Sequence, residues 1–194
     1  MDLYIFAGAN GSGKSTLVDS FFKNALYADV NYICPDSIAE ILKSSYPNAD
    51  IETIYIMAMQ KAQDLRYDAL EKRIPLCVET VLSTKEKIDF ILSAKEIGYK
   101  IHIIYVTTKN PSINISRIRK RVSQGGHNVP IDKVRSRYYK SLSFLPELIN
   151  IANDILIYDN SFAKPMLVYS SDDNFIMSEY CDVKWFAEYV IPYI

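Results

Sequence analysis

LYIFAGANGSGKST, residues 3–16, runs from an apolar stretch through Gly8, Gly11 and Gly13 into a lysine and two hydroxyls. The apolar run is of strand length, and KSTLVDSFFKNAL behind it carries apolar residues at helical spacing. Together they predict a strand, a tight loop and a helix. Within the stretch, Gly8-Ala9-Asn10-Gly11-Ser12-Gly13-Lys14-Ser15 matches GxxxxGK[ST], with Thr16 next. Glycines let the backbone curl so that successive N–H groups face phosphate oxygens, and the helix N-terminus adds its positive dipole end. In such a loop Lys14 bridges the β- and γ-phosphates of a nucleotide, ATP or GTP, and the Ser15 hydroxyl ligates Mg2+.

Working outward, NYICP (31–35), PLCVET (75–80), KIHIIYVTT (100–108) and DILIYDN (154–160) read as further strands. Helical patterns separate them: SIAEILKSS, a long helix over 51–72, and TKEKIDFILSAKEIG, which Thr84 and Gly98 frame as N-cap and C′ residues. Two basic helices, about 112–123 and 131–150, flank GGHNVP. Short apolar strands alternating with helices predict an α/β fold with an open, doubly wound, mainly parallel five-stranded sheet. Beyond Phe162, a β-hairpin turning at Asp172-Asp173-Asn174 and a closing helix over DVKWFAEYV are expected. Trp185 and its neighbouring aromatics are read as structural cover.

Ligands of an open parallel sheet sit at the carboxyl ends of its strands. Asp36 follows the second strand, Glu79 closes the third and Asp159 closes the fifth. A kinase acting on an alcohol needs a carboxylate that accepts the hydroxyl proton, and Asp36 is the candidate base, in a position that also suits a helix N-cap. Glu79, with Thr80 behind it, is placed to contact the second substrate or, through water, the metal. Asp159-Asn160-Ser161 either touches the nucleotide base or forms a turn, the turn being slightly favoured.

The basic segment RIRKRVSQGGHNVP, 117–130, has the layout of a lid. Arg117 and Arg121 share one helical face, whereas Arg135 and Arg137 lie two apart, so only one of that pair points inward. Gly125-Gly126 is a hinge candidate and Pro130 suits a first helical turn. Arg119, Lys120 and Lys133 are expected on solvated faces. His127 is either a lid contact to phosphate or substrate, or an unheld tip residue.

Composition narrows the partners. The 194 residues hold 22 Lys and Arg against 23 Asp and Glu, a formal net charge of −1, so no global field draws the chain to nucleic acid or a membrane. Cys34, Cys77 and Cys181 form neither a disulfide framework nor a metal-type pair, and Cys34 and Cys77 fall in apolar runs. No basic leader and no stretch of bilayer-spanning length is visible, and a cytoplasmic protein is expected.

AGANGSGKST, CPDSIAE, VETVLS, RIRKRVSQGGHNVP, RSRYYKSL and IYDNS together resemble the zeta-toxin family of P-loop kinases, particularly its compact members, over about residues 1–161. The resemblance implies a toxin-type kinase that passes the γ-phosphate of ATP or GTP to a hydroxyl of UDP-N-acetylglucosamine or a related nucleotide sugar. It also implies a small antitoxin protein that occupies the nucleotide site. In that scheme Asp36 is the base, Glu79 a substrate contact, and Arg121 with Arg117 or Arg137 the γ-phosphate clamp. The expected organisation is a kinase core over 1–161 with its lid at about 112–140, and a hairpin and helix over 162–194 packed on it as one domain. Two other readings stay open: a P-loop kinase of another acceptor, such as a nucleic-acid end, a nucleoside or a metabolite, and a nucleotide-dependent switch acting through a protein partner.

Overall fold

The structure, a computed structural model, describes residues 1–22, 30–173 and 175–194, the side chain of Phe22 excepted. Residues 23–26 of the expected first helix and Asn174 of the expected hairpin tip lie outside the described residues.

β1 (Asp2–Ala7) runs through the middle of the sheet and is followed by α1 (Lys14–Phe22). It pairs in parallel with β3 (Leu76–Thr80) on one side and β4 (Lys100–Thr107) on the other. β2 (Asn31–Ile33) forms the edge beyond β3, and β5 (Asp154–Asp159) lies beside β4. The order is β2-β3-β1-β4-β5-β6-β7. All five expected strands are present in parallel. The C-terminal hairpin, β6 (Met166–Ser170) and β7 (Phe175–Ile176), extends the same sheet antiparallel, giving seven strands among the described residues.

The parallel strands are buried on both faces because helices cover them, which is why they read as continuous apolar runs. Leu3, Ile5, Leu76, Val78, Ile101, Ile103, Ile155 and Ile157 form the main core. Trp185, Phe186 and Val190 join it from the last helix, as structural cover requires. Cys34 and Cys77 are buried thiols, and Cys181 is exposed.

α2 (Pro35–Ser45) follows β2, and α3 (Ile51–Glu71) packs against it. The Asp50 side chain caps α3 by accepting the Thr53 N–H at 2.9 Å. α4 (Lys85–Glu96) ends at Gly98, whose φ of 93° is the left-handed C′ conformation expected there. Thr84 does occupy the N-cap position, but its side chain makes no capping hydrogen bond.

α5 (Pro111–Ser123) and α6 (Ile131–Ser143) are the two basic helices. Ile115, Ile118, Val129 and Val134 form a small core of their own between them. Pro130 stands at the N-cap of α6, one position before the first turn expected for it. The single helix expected over 131–150 is two: it breaks at Phe144, and α7 (Leu145–Ile151) follows. Pro146 is the cause, since it lacks the N–H that an uninterrupted helix would bond and its ring clashes with the preceding turn.

Candidate functional site

β1 ends at Ala7, opposite Thr80 of β3 and Tyr105 of β4, and the glycine-rich loop leaves from that central point. Two glycines there are obligatory. Gly8 has φ 140°, and a Cβ on it would lie 2.0 Å from the Val106 carbonyl oxygen. Gly13 has φ 97°, and its Cβ would lie 2.1 Å from Asn160 Nδ2. Both positions combine a backbone that L side chains avoid with a contact no Cβ tolerates.

The loop is fixed from outside as well. Asn160 Nδ2 donates to the Ser12 carbonyl at 2.7 Å, and Asn114 Nδ2 donates to the Asn10 carbonyl at 2.8 Å. Both amides are buried. Asp159 accepts the Ser161 N–H at 2.7 Å, so Asp159-Asn160-Ser161 is the turn expected, with Asn160 turned onto the loop. Asn114 does not stand out as a site residue in the sequence, and Asn160 reads there only as a nucleotide-base contact or a turn residue, not as a brace of the loop. The available signal was a polar side chain on the apolar face of α5 and another directly after a buried strand.

A cavity of about 660 Å³ opens over the loop. Asn10, Gly11, Gly13, Lys14, Ser15 and Thr16 line it, while Gly8, Ala9 and Ser12 belong to the loop without lining it. Asp36 from α2, Glu79 and Thr80 from β3, Arg117 and Arg121 from α5, His127, and Arg137 from α6 all line the same cavity. These residues outside the loop are therefore brought to one place, whereas Asp159, the acid at the end of the fifth strand, does not line the cavity.

Asp36 is exposed at the second position of α2, with Cys34 at the N-cap. The N-cap alternative for Asp36 is thus excluded. Glu79 accepts the Ser15 hydroxyl at 3.0 Å and the Tyr32 hydroxyl at 2.9 Å. Burial and the Glu79 charge together push the Tyr32 phenol well above its usual range. The Thr80 hydroxyl accepts the Leu82 N–H at 3.1 Å and holds the chain where Leu82 takes φ 50°, an uncommon conformation for a branched residue.

Lys14 is buried, and its ammonium donates to the Ala9 carbonyl at 3.1 Å. Burial lowers its pKa, opposed by the charges of Glu79 and Asp36. Arg137 donates to Asn10 Oδ1 at 3.1 Å, whereas Arg135 is exposed, so one of the pair turns inward as the spacing required. Arg121 donates to the His127 carbonyl at 2.9 Å, and its Nε is buried without a partner among the described residues. Arg117 reaches the Phe162 carbonyl at 3.5 Å, with Nη1 likewise buried and unpartnered among the described residues. Buried N–H groups without acceptors are costly, and guanidinium groups lining a cavity above a phosphate-type loop are suited to an anion. Arg119, Lys120 and Lys133 are exposed. His127 is held: its ring packs against Tyr55 at a tilt of 34°, centroids 3.9 Å apart.

Ser15 and Glu79 together offer a hard hydroxyl and a carboxylate oxygen. Among the described residues no group of three or more His, Cys, Asp or Glu is arranged to hold a metal. Magnesium fits this donor set, because it commonly takes one or two protein oxygens and completes its shell with water and phosphate.

The model of the zeta toxin family matches residues 2–171. The chain belongs to the zeta toxin family. An uncharacterized protein of Haemophilus influenzae is 36% identical over 134 residues, covering 69% of this chain and 89% of that protein. A structure from the PezAT chromosomal toxin–antitoxin system of Streptococcus pneumoniae superposes with TM-score 0.67 at 18% identity, over 97% of this chain and 77% of its own. A chain of the AvrRxo1-ORF1:-ORF2 complex with ATP gives TM-score 0.75 at 16% identity, over 100% of this chain and 64% of its own. At such identities the structural likeness is one of fold, and it is the fold of this family. Membership of this family makes the protein a kinase-type phosphotransferase with a nucleotide-binding P-loop. No helix among the described residues is long and apolar enough to cross a membrane.

Proposed function

We propose that this zeta toxin family member transfers the γ-phosphate of ATP or GTP to a hydroxyl of a nucleotide sugar such as UDP-N-acetylglucosamine. The observation that carries the reading is the convergence of Lys14, Asp36, Glu79 and the three lid arginines Arg117, Arg121 and Arg137 on one cavity.

The loop amides hold the nucleotide phosphates, and Lys14, at the start of α1, bridges the β- and γ-phosphates. Its pKa is lowered by burial, and phosphate charge would oppose that shift. Magnesium held between Ser15, Glu79 through water, and the phosphates would neutralise charge on the transferring group. The transition state spreads negative charge over the equatorial phosphoryl oxygens, and Arg117, Arg121 and Arg137 stabilise it there. As the acceptor oxygen bonds to the γ-phosphorus and the bond to the leaving diphosphate breaks, Asp36 takes the hydroxyl proton. Thr80 and His127 complete the acceptor contacts. Asp36 is exposed, as a base that meets an incoming substrate must be.

The neighbouring toxin–antitoxin structure supports a second part of the proposal, a small antitoxin protein that inhibits by covering this nucleotide site. The kinase reading is tested by following labelled γ-phosphate from ATP and GTP to a panel of nucleotide sugars. Label on UDP-N-acetylglucosamine that disappears with Lys14→Ala and with Asp36→Asn supports it. Label released only as free phosphate, with Asp36 irrelevant, would replace it with a hydrolase or switch.

A further inference from the structure

Tyr32 reaches the Glu79 carboxylate from outside the cavity. It sits on β2, the edge strand of the sheet, opposite Cys77 of β3, and Ile33 is opposite Val78. Side chains alternate along a strand, so Tyr32, Cys77 and Glu79 share one face. That face is the one α1 covers, since Leu17 and Val18 pack with Cys77. The edge strand therefore brings the Tyr32 ring to the start of α1, where Lys14 and Ser15 stand.

Glu79 is held at both oxygens. Oε1 accepts the Ser15 hydroxyl at 3.0 Å and Oε2 accepts the Tyr32 hydroxyl at 2.9 Å, with Cys34 Sγ 3.9 Å from the same Oε2. Ser15, Cys34 and Glu79 line the cavity, and Tyr32 does not. Whatever its phenol does for the cavity, it does through Glu79.

A serine hydroxyl has one proton and two lone pairs. With the proton given to Glu79, the lone pairs of Ser15 Oγ are left for a cation. With the carboxylate turned away, the same proton can point toward the cation and oppose it. A glutamate has the rotamer freedom to make that turn, and ordering it costs entropy. The Tyr32 hydroxyl, carried on a rigid ring, fixes Oε2 and with it the direction of Oε1.

We propose that Tyr32 is a positioning residue for a divalent cation: by holding Glu79 it directs the Ser15 proton onto the carboxylate and leaves Ser15 Oγ to the metal. The inference rests on the magnesium part of the kinase reading and needs no acceptor.

The test follows Mn2+ by electron paramagnetic resonance as it binds the full chain saturated with a non-hydrolysable ATP analogue. Tyr32→Phe keeps the ring and removes the hydroxyl. The apparent Kd for Mn2+ should rise roughly ten- to a hundredfold, the usual cost of losing a group that orients a metal ligand. Affinity for the analogue in EDTA should stay within about threefold, because no direct contact to the nucleotide has been removed. Glu79→Gln should weaken Mn2+ binding as well, and the double variant should lose little more than the weaker-binding single variant, since two residues acting through one contact are not additive. Losses that multiply in the double variant would overturn the inference. So would Mn2+ affinity unchanged in Tyr32→Phe, whether or not its melting temperature falls. Labelled transfer to an acceptor alongside Mn2+ binding indifferent to Tyr32 would sink this inference and leave the kinase standing. Tyr32-dependent Mn2+ binding with all label going to water would do the reverse.

Discussion

Arg137 Nη1 donates to Asn10 Oδ1 at 3.1 Å, so a side chain from the second lid helix already reaches the phosphate loop. The same asparagine is held through its carbonyl by Asn114 of the first lid helix at 2.8 Å. The two contacts serve different ends. Asn114 is fully buried and also bonds Thr108, whereas Arg137 is half-buried and faces the cavity. Arg137→Ala should therefore lower phosphoryl transfer by about 10³-fold or more, with little change in melting temperature. Asn114→Ala should instead destabilise the fold by roughly 1–3 kcal/mol by leaving the Thr108 hydroxyl and the Asn10 carbonyl short of partners. Single-turnover transfer and thermal melting of the two variants check this division; equal kinetic losses would merge the two roles.

Asp36 separates chemistry from nucleotide binding. It stands in the first turn of α2, off the phosphate loop, and no lysine or arginine pairs with it as a salt bridge among the described residues. Asp36→Asn keeps the side chain's shape and removes its ability to take a proton. Transfer should fall by about 10²–10⁴-fold, while the affinity for an ATP analogue stays within about threefold, far less than a lost charged contact would cost. A variant that transfers at the wild-type rate would remove Asp36 from the role of base.

Much of this site was legible because its signals are local. Strand, glycine loop and helix lie consecutively in 3–16, and helical spacing alone separates Arg117 and Arg121 from Arg119. What stayed hidden depends on register between distant segments. Asn160 is indistinguishable from a turn residue until β5, beside β4, delivers it to Ser12. Arg66 lies in a 21-residue helix whose other charged residues are mostly solvated, and only packing against Phe90 shows that this one is inside. The hairpin's pairing with β5 is likewise a long-range choice that alternation cannot reveal. The break at Phe144 was legible in Pro146, whose missing N–H outweighs the helical spacing around it.

Gly13 tests how tightly the loop is built. Alanine there meets both a φ of 97° and the Asn160 amide 2.1 Å from its Cβ. Relief would require Asn160 to give up its bond to the Ser12 carbonyl. Gly13→Ala should abolish measurable binding of an ATP analogue, and it should also lower stability by about 1–3 kcal/mol from strain and the lost buried bond. Asn160→Ala relieves the clash but not the strain, so the double variant should recover part of the stability and little of the binding. Denaturant melts and calorimetric titration of the two variants read both effects, and full recovery of binding would show that the φ of this glycine is not required.

His127 couples the lid tip to acid. Burial lowers its pKa from the ordinary 6.5, and the Arg121, Lys43 and Arg137 charges act in the same direction against the opposing Asp36. The folded state therefore holds this imidazole neutral where the unfolded chain has begun to protonate it. Between the lowered value and 6.5 the unfolded state binds more protons, so this contribution to stability rises with pH through that window and levels off above it. It is lost progressively as pH falls below 6.5, when the protonated ring must be accommodated in a partly buried site beside three cations. His127→Gln removes a ring whose protonated form the folded state disfavours, so the variant's melting temperature should fall less than the wild type's as pH drops below 6.5, and the part of the rise with pH that this group contributes should disappear. Melting curves of both proteins across that range decide the matter: parallel pH profiles would mean that the ring titrates alike in the folded and unfolded chain.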